Sequence, residues 1–180
     1  MIIETKGLIL RKLKEDDDMA MFEMDSDPEV HKYLGNNPYT TLEQSRETIA
    51  SVQRQYAEHG IGRWAVIEKS TGSFVGWSGL KFLTEPVNNH CNIYDVGYRL
   101  LKKYWGKGYA TESALAAIDY GFATLNLNEI FAAANIENKQ SINALHKCGL
   151  KFIEHFDHNG IACNWYKITK NEWKNKKLIA

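Results

Sequence analysis

The apolar positions of this chain fall into short branched runs and longer helical periods, separated by glycine, proline and asparagine. Leu8-Ile9-Leu10-Arg11-Lys12-Leu13 predicts a strand. The acidic run Glu15-Asp16-Asp17-Asp18 predicts a helix start, with its carboxylates capping a solvated face. Pro28 and Pro38 punctuate a loop, and Thr41-Leu42-Glu43-Gln44 opens a second helix running to about Glu58, where Gly60 and Gly62 end it. Arg63 to Lys69 and Phe74 to Phe82 read as a hairpin turning at Ser70-Thr71-Gly72-Ser73. Thr84 to Cys91 is polar loop, and Asn92 to Leu101 is a further strand. Ala110, Ala114, Ala117, Ile118 and Phe122 recur at helical spacing, which predicts a long amphipathic helix from Tyr109 to Leu125. Glu129 to Ala134 reads as a buried strand, Lys139 to Cys148 as a short helix stopped by Gly149. Lys151 to Asp157 and Ile161 to Thr169 read as a last pair of strands around Asn159-Gly160. Strands and helices in this order, with no repeat or linker, make residues 1–180 one α+β domain.

Composition narrows the class. Lys+Arg and Asp+Glu both number 22, so the net charge is zero and offers no footprint for nucleic acid or membrane. No run of about eighteen apolar residues exists, and charges at Glu4, Lys6, Arg11 and Lys12 interrupt any leader-like core. Cys91, Cys148 and Cys163 have no metal-ligand spacing, so a reduced, cytoplasmic setting without a metal is expected.

Chemistry concentrates in Asp95-Val-Gly-Tyr-Arg-Leu-Leu-Lys-Lys-Tyr-Trp-Gly-Lys-Gly-Tyr-Ala-Thr-Glu112, where a strand enters a glycine loop that becomes the long helix. Glycines at 106 and 108 let backbone N–H groups turn toward an anion, and a helix start adds free N–H groups and a positive dipole end. Lys103 and Lys107 would add charge beside that pocket. Gly-x-Gly by itself serves equally well as turn geometry. A dinucleotide fingerprint would need a third glycine where Thr111 stands, and the Gly-Lys-Ser/Thr of a phosphate-binding P-loop is absent.

Lys103-Tyr-Trp-Gly-Lys-Gly-Tyr-Ala110 resembles the coenzyme A pyrophosphate loop of the GNAT acetyltransferases, usually Gln/Arg-x-x-Gly-x-Gly/Ala. Val96-Gly-Tyr-Arg-Leu100 with Tyr104 to Glu112 is similar to the branch that acetylates ribosomal-protein N-termini. Glu4-Thr5 with Leu8 to Arg11 matches its opening strand, and Asn138 to Ser141 with Leu145, Lys147, Cys148-Gly149 and Phe152 its second coenzyme segment. The resemblance implies a GNAT-type acyl-CoA N-acyltransferase fold: a curved mixed sheet of about seven strands with about four helices on both faces. It implies acetyl-CoA as cosubstrate, bound by Tyr98, Arg99, Leu100 and Leu101 along the strand edge. Lys103, Gly106, Lys107, Gly108, Tyr109, Ala110 and Thr111 would hold the pyrophosphate, with Asn138 and Lys147 nearby. The sequence departs from the family at Lys103, where Gln or Arg is usual, and at Leu145, where many members carry a tyrosine that protonates the departing thiolate.

The implied reaction is amine attack on a thioester, with an oxyanion held by backbone N–H around Val96 to Tyr98. Ser141 is the candidate donor to the thiolate, or else a polar residue in a first helical turn. Asp95 is the candidate base, or a partner of a neighbouring strand; Glu112 reads as helix-start electrostatics. An α-amine of pKa about 7.7–8.0 costs roughly 1 kcal/mol to deprotonate near neutrality, a lysine-like amine near 10.4 nearly 5. The acceptor is therefore expected to be a protein N-terminus, with a small amine such as a polyamine, amino acid or antibiotic as the alternative. A coenzyme-binding regulatory module without turnover is the reading from another class. Partners reduce to acetyl-CoA and an amine, with no membrane or direct nucleic-acid contact, on a monomer or homodimer.

Overall fold

A computed structural model describes residues 2–179. Its strands are β1 (Ile2–Glu4), β2 (Leu8–Lys12), β3 (Trp64–Glu68), β4 (Phe74–Leu83), β5 (Ile93–Leu100), β6 (Glu129–Asn135), β7 (Lys151–His158) and β8 (Ile161–Thr169). Its helices are α1 (Asp18–Asp25), α2 (Pro28–His31), α3 (Leu42–His59), α4 (Tyr109–Ala123), α5 (Lys139–Cys148) and α6 (Lys170–Ile179). The strands form one sheet in the order β1-β2-β3-β4-β5-β6-β8-β7, with every pairing antiparallel except β5 with β6.

Alternation along each strand sends apolar side chains to two layers of helices. One face carries Trp64, Leu80, Val96 and Ile130, all buried, and α4 lies on it, with Tyr120 edge-on to Trp64 at a centroid distance of 5.3 Å. The opposite face takes α1 and α3: the Tyr56 hydroxyl of α3 accepts from Leu13 N (3.1 Å) and donates to Arg63 O. Burying each large apolar side chain stabilises the fold by about 1.5–3 kcal/mol. Helix α3 ends where the glycine signal put it, with Gly60 left-handed at φ +70° and its N–H on Tyr56 O.

The structure adds to the expected elements at three places. Ile2–Glu4 forms an eighth strand, too short to show alternation, by pairing with Ile9–Arg11. Pro28–His31 is a short helix, capped by Asp27 accepting from Glu29 N, and Lys170–Ile179 is a sixth helix. The acidic run also behaves differently from a uniformly solvated cap. Asp17 is buried and takes both Arg11 nitrogens at 2.8 and 2.7 Å, while α1 itself starts at Asp18. A bidentate partner four residues before the run is invisible to charge counting.

Glu172 secures the start of α6, accepting from Thr169 N and Oγ and pairing with Lys151 at 2.7 Å. Lys151 and the Thr169 N–H hold its carboxyl down at about 2, from 4.5. A depressed folded pKa contributes stability that is present above the unfolded value and lost as pH falls through the folded one. Glu172→Gln should therefore lower the melting temperature at pH 7, with the gap to wild type closing between about 4.5 and about 2 in a pH series of thermal melts.

Candidate active site

Beyond β5 the chain takes a tight turn at Lys102–Tyr104 and enters the glycine loop. Gly106 and Gly108 sit at φ +78° and +82°, where a side chain costs about 1–2 kcal/mol. A Cβ at either would meet nothing within 4 Å, so the glycines answer to backbone conformation and the space beside them is open. Gly108 is the N-cap of α4 and has no side chain to cap it. The N–H groups of Tyr109, Ala110 and Thr111 lack carbonyls one turn earlier, and they face outward with the positive end of the helix dipole. That is an anion cradle built from backbone. Side chains brace it: Trp105 Nε1 donates to Leu100 O (2.9 Å), and Tyr109 donates to the buried Glu68 (2.6 Å). The hydrogen bonds from Tyr109 and Thr71 hold the Glu68 carboxyl below its usual range. Lys103 and Lys107 are engaged, with Glu23 at 3.0 Å and Glu68 at 3.6 Å. Lys103–Glu23 is exposed at both ends, a kind of pair that contributes about 0–1 kcal/mol, and Lys107 is exposed at its own end, so each lysine has room to turn to an anion.

Next to the cradle the sheet opens. β4 and β5 pair along eight positions, but β5 and β6 share one, Asp95 with Phe131. The β5 edge beyond Asp95 therefore faces a gap, although Leu101 N is already taken by Val75 O on the β4 side. Helix α5 flanks the gap directly after β6. Asn138 caps it, its Oδ1 accepting from Ser141 N at 3.1 Å. The Tyr98 hydroxyl reaches across from β5 and lies 3.1 Å from both Oγ and O of Ser141. Leu145 is core at 2% exposure, and Lys147 is exposed on the far part of α5.

The other face of the same strands is polar. Arg63 runs over Gly97, where a Cβ would come within 2.7 Å of Nη2, and meets Asp95 Oδ1 at 2.8 Å and Asp95 O at 2.8 Å. Trp77 lies between two guanidinium groups, Arg63 at 5.6 Å and Arg99 at 5.2 Å from its ring. Arg99 continues to the fully buried Asp25 at 2.6 Å, with His31 Nε2 at 3.3 Å from the same oxygen. On β6 the register puts Ala133 on this face, and it is exposed despite its central strand. Gly97 and Ala133 thus lie on this face at either side of the line where β5 and β6 part, with Arg63 and Asp95 beside Gly97. The stacked Phe131 and Trp165 (5.3 Å) lie on the β6–β8 side of the same face, with His90 over them at 5.1 and 5.7 Å.

A strand, a left-handed glycine pair, an uncapped helix start and a gap between parallel strands are the parts that acyl transfer from coenzyme A needs, and comparison with known proteins gives the family. The model of the acetyltransferase (GNAT) domain matches residues 7–151. The chain belongs to the GNAT acetyltransferase family. It is 36% identical over 141 residues to the uncharacterized N-acetyltransferase p20 of Bacillus licheniformis, covering 78% of this chain and 77% of that one. A GNAT acetyltransferase structure from Bacillus anthracis superposes with TM-score 0.78 at 28% identity, over 95% of this chain and 99% of that one. Two further structures share the fold alone. A ribosomal-protein-S5-alanine acetyltransferase from Vibrio fischeri has TM-score 0.76 and 17% identity, covering 96% and 98% of the two chains. A spermidine N-acetyltransferase from Vibrio cholerae, in complex with CoA and spermine, has 0.75 and 19%, covering 95% and 100%. The protein is thus a GNAT N-acetyltransferase with an acyl-CoA cosubstrate.

Among GNAT residues singled out from sequence, Gly106 to Thr111, Tyr98 to Leu101, Asn138 and Ser141 surround one gap. The Arg99 side chain turns to Asp25 on the other face, and Lys147 is exposed in the last turn of α5. Asp95 is the ion-pair partner of Arg63, which precedes β3, two strands away across the sheet. Glu112 does more than favour a helix start: it accepts from Thr5 Oγ (2.5 Å) and Gly7 N (2.7 Å), tying the β1–β2 turn to the cradle helix. Arg63 escaped the sequence reading because only the β3–β4–β5 register brings it to Asp95, and the Tyr98 phenol escaped because only its backbone was considered.

Gly108→Val should weaken acetyl-CoA binding at least tenfold by calorimetry, while Gly72→Val, equally left-handed at φ +71° in a surface turn, should leave affinity unchanged. Equal affinity of a folded Gly108→Val variant would remove the backbone cradle from the site.

Proposed function

We propose that this acetyltransferase acts on a protein N-terminal α-amine by direct attack in a ternary complex, with the acetyl group presented at the gap between β5 and β6. The pyrophosphate lies on the N–H groups of Gly106 to Thr111, and the β5 edge from Tyr98 pairs with the pantetheine amide groups. Uncapped donors, open space at both glycines and an unpaired strand edge fit that ligand. The acceptor enters over Gly97 and Ala133. Its nitrogen forms the new bond to the acetyl carbon, and backbone N–H near Val96 to Tyr98 carries the oxyanion. The carbon–sulfur bond then breaks, and Ser141 donates a hydrogen bond to the thiolate. The proton that nitrogen sheds balances the one the thiol gains.

The engaged state of Asp95 carries the choice of acceptor. Arg63, Arg99, Asp25 and Asp95 on the polar face sum to zero charge, and both carboxylates are already bound to guanidinium groups. A polyamine would arrive as a polycation and lose a proton at a cost of nearly 5 kcal/mol, where an α-amine loses one for roughly 1. Such a face suits the second. A panel of acetyl acceptors followed by thiol release should show peptides with free N-termini turning over at least tenfold faster than spermidine or free lysine. The reverse order would transfer the assignment to small amines, and no turnover with any amine would favour a binding module.

Ser141→Ala should lower kcat and kcat/KM together, roughly ten- to a thousandfold, with coenzyme affinity nearly unchanged, because the contact strengthens only as charge grows on sulfur. A serine that only decorates the helix start would instead cost at most about 1 kcal/mol of stability at full turnover. Measuring kcat and the thermal midpoint on the same variant separates the two.

A further inference from the structure

The gap holds a second hydroxyl that no sequence motif assigns. Tyr98 extends from β5 toward α5 and ends 3.1 Å from Ser141 Oγ and 3.1 Å from Ser141 O. Ser141 is thereby fixed twice, its backbone N–H by the Asn138 cap and its hydroxyl by the phenol. Leu145, which stands where many GNAT members carry a tyrosine, is buried in the core and offers no polar atom. The chain instead brings a phenol from β5 to the first turn of the same helix.

We propose that Tyr98 is a positioning residue for the leaving thiolate, holding the Ser141 hydroxyl so that its proton is directed into the gap between β5 and β6. The inference rests on Ser141 as the thiolate donor. A serine hydroxyl has one proton and two lone pairs. The phenol can give its proton to Ser141 O and receive the serine's, or give it to Ser141 Oγ and leave the serine's proton free. The two arrangements differ only by rotation of two O–H bonds. A growing thiolate favours the second, because a hydrogen bond to a charged acceptor is the stronger one. Burial holds the phenol well above its usual pKa, so it stays a neutral donor rather than passing its proton on. No proton leaves the pair: the thiol's proton still derives from the attacking nitrogen.

A double-mutant cycle on the intact enzyme tests this. Tyr98→Phe keeps the ring that packs in the gap and removes one oxygen. It should lower kcat roughly three- to tenfold, the range of one hydrogen bond, with KM for acetyl-CoA and the thermal midpoint nearly unchanged. In a Ser141→Ala background the same substitution should have no further effect on kcat, since Tyr98 acts through the serine. Wild-type kcat in Tyr98→Phe, or an equal loss in both backgrounds, would overturn the proposal while leaving Ser141 in place. Wild-type kcat in Ser141→Ala would remove the serine's role and Tyr98's with it.

Discussion

The single pairing between β5 and β6, Asp95 with Phe131, is the constraint on which the site depends. On one side β5 is stitched to β4 over eight positions, and on the other β6 is stitched to β8 over seven. Each half-sheet is therefore rigid up to the line where they part. A gap between rigid walls keeps an unpaired strand edge available without loss of order elsewhere, which is the condition for binding an extended arm by backbone contacts. The glycine cradle and the start of α5 lie at the rim of that gap because each follows directly from one of its two strands.

Electrostatics in the site is organised by pairing. Lys103 and Lys107 rest on Glu23 and Glu68, Arg63 on Asp95, and Arg99 on Asp25. The first two pairs are exposed at the lysine, so a phosphate can displace a carboxylate there. The last two are more deeply buried and stacked on Trp77, where breaking one partner away would leave an uncompensated charge. The lysine pairs beside the glycine loop are consequently adaptable and the arginine pairs around Trp77 fixed.

Glu112 shows how the fold carries the site. A carboxylate in the first turn of α4 would be expected to favour the helix dipole and nothing more. Instead it takes the Thr5 hydroxyl and the Gly7 amide, so the β1–β2 turn, from the opposite end of the chain, braces the helix whose N-terminus forms the cradle.

The sequence alone determined the order of most elements, the left-handed glycine loop at the start of α4, and the candidacy of Ser141, since these follow from local rules. Strand alternation, helical period and the left-handed preference of Gly106 and Gly108 act within a few residues. It also pointed to the family, because spaced motifs retain their order along the chain. What lay beyond local rules was decided by tertiary structure. Ile2–Glu4 is a strand only because Ile9–Arg11 offers it a ladder. Asp17 leaves the solvated run because Arg11 reaches it. The state of Asp95 depends on an arginine two strands away, and the meeting of Tyr98 with Ser141 on a helix beyond the next strand. In each case a polar group's role was set by a partner distant in sequence, and hydrogen bonds and ion pairs act only over the few ångströms that folding closes.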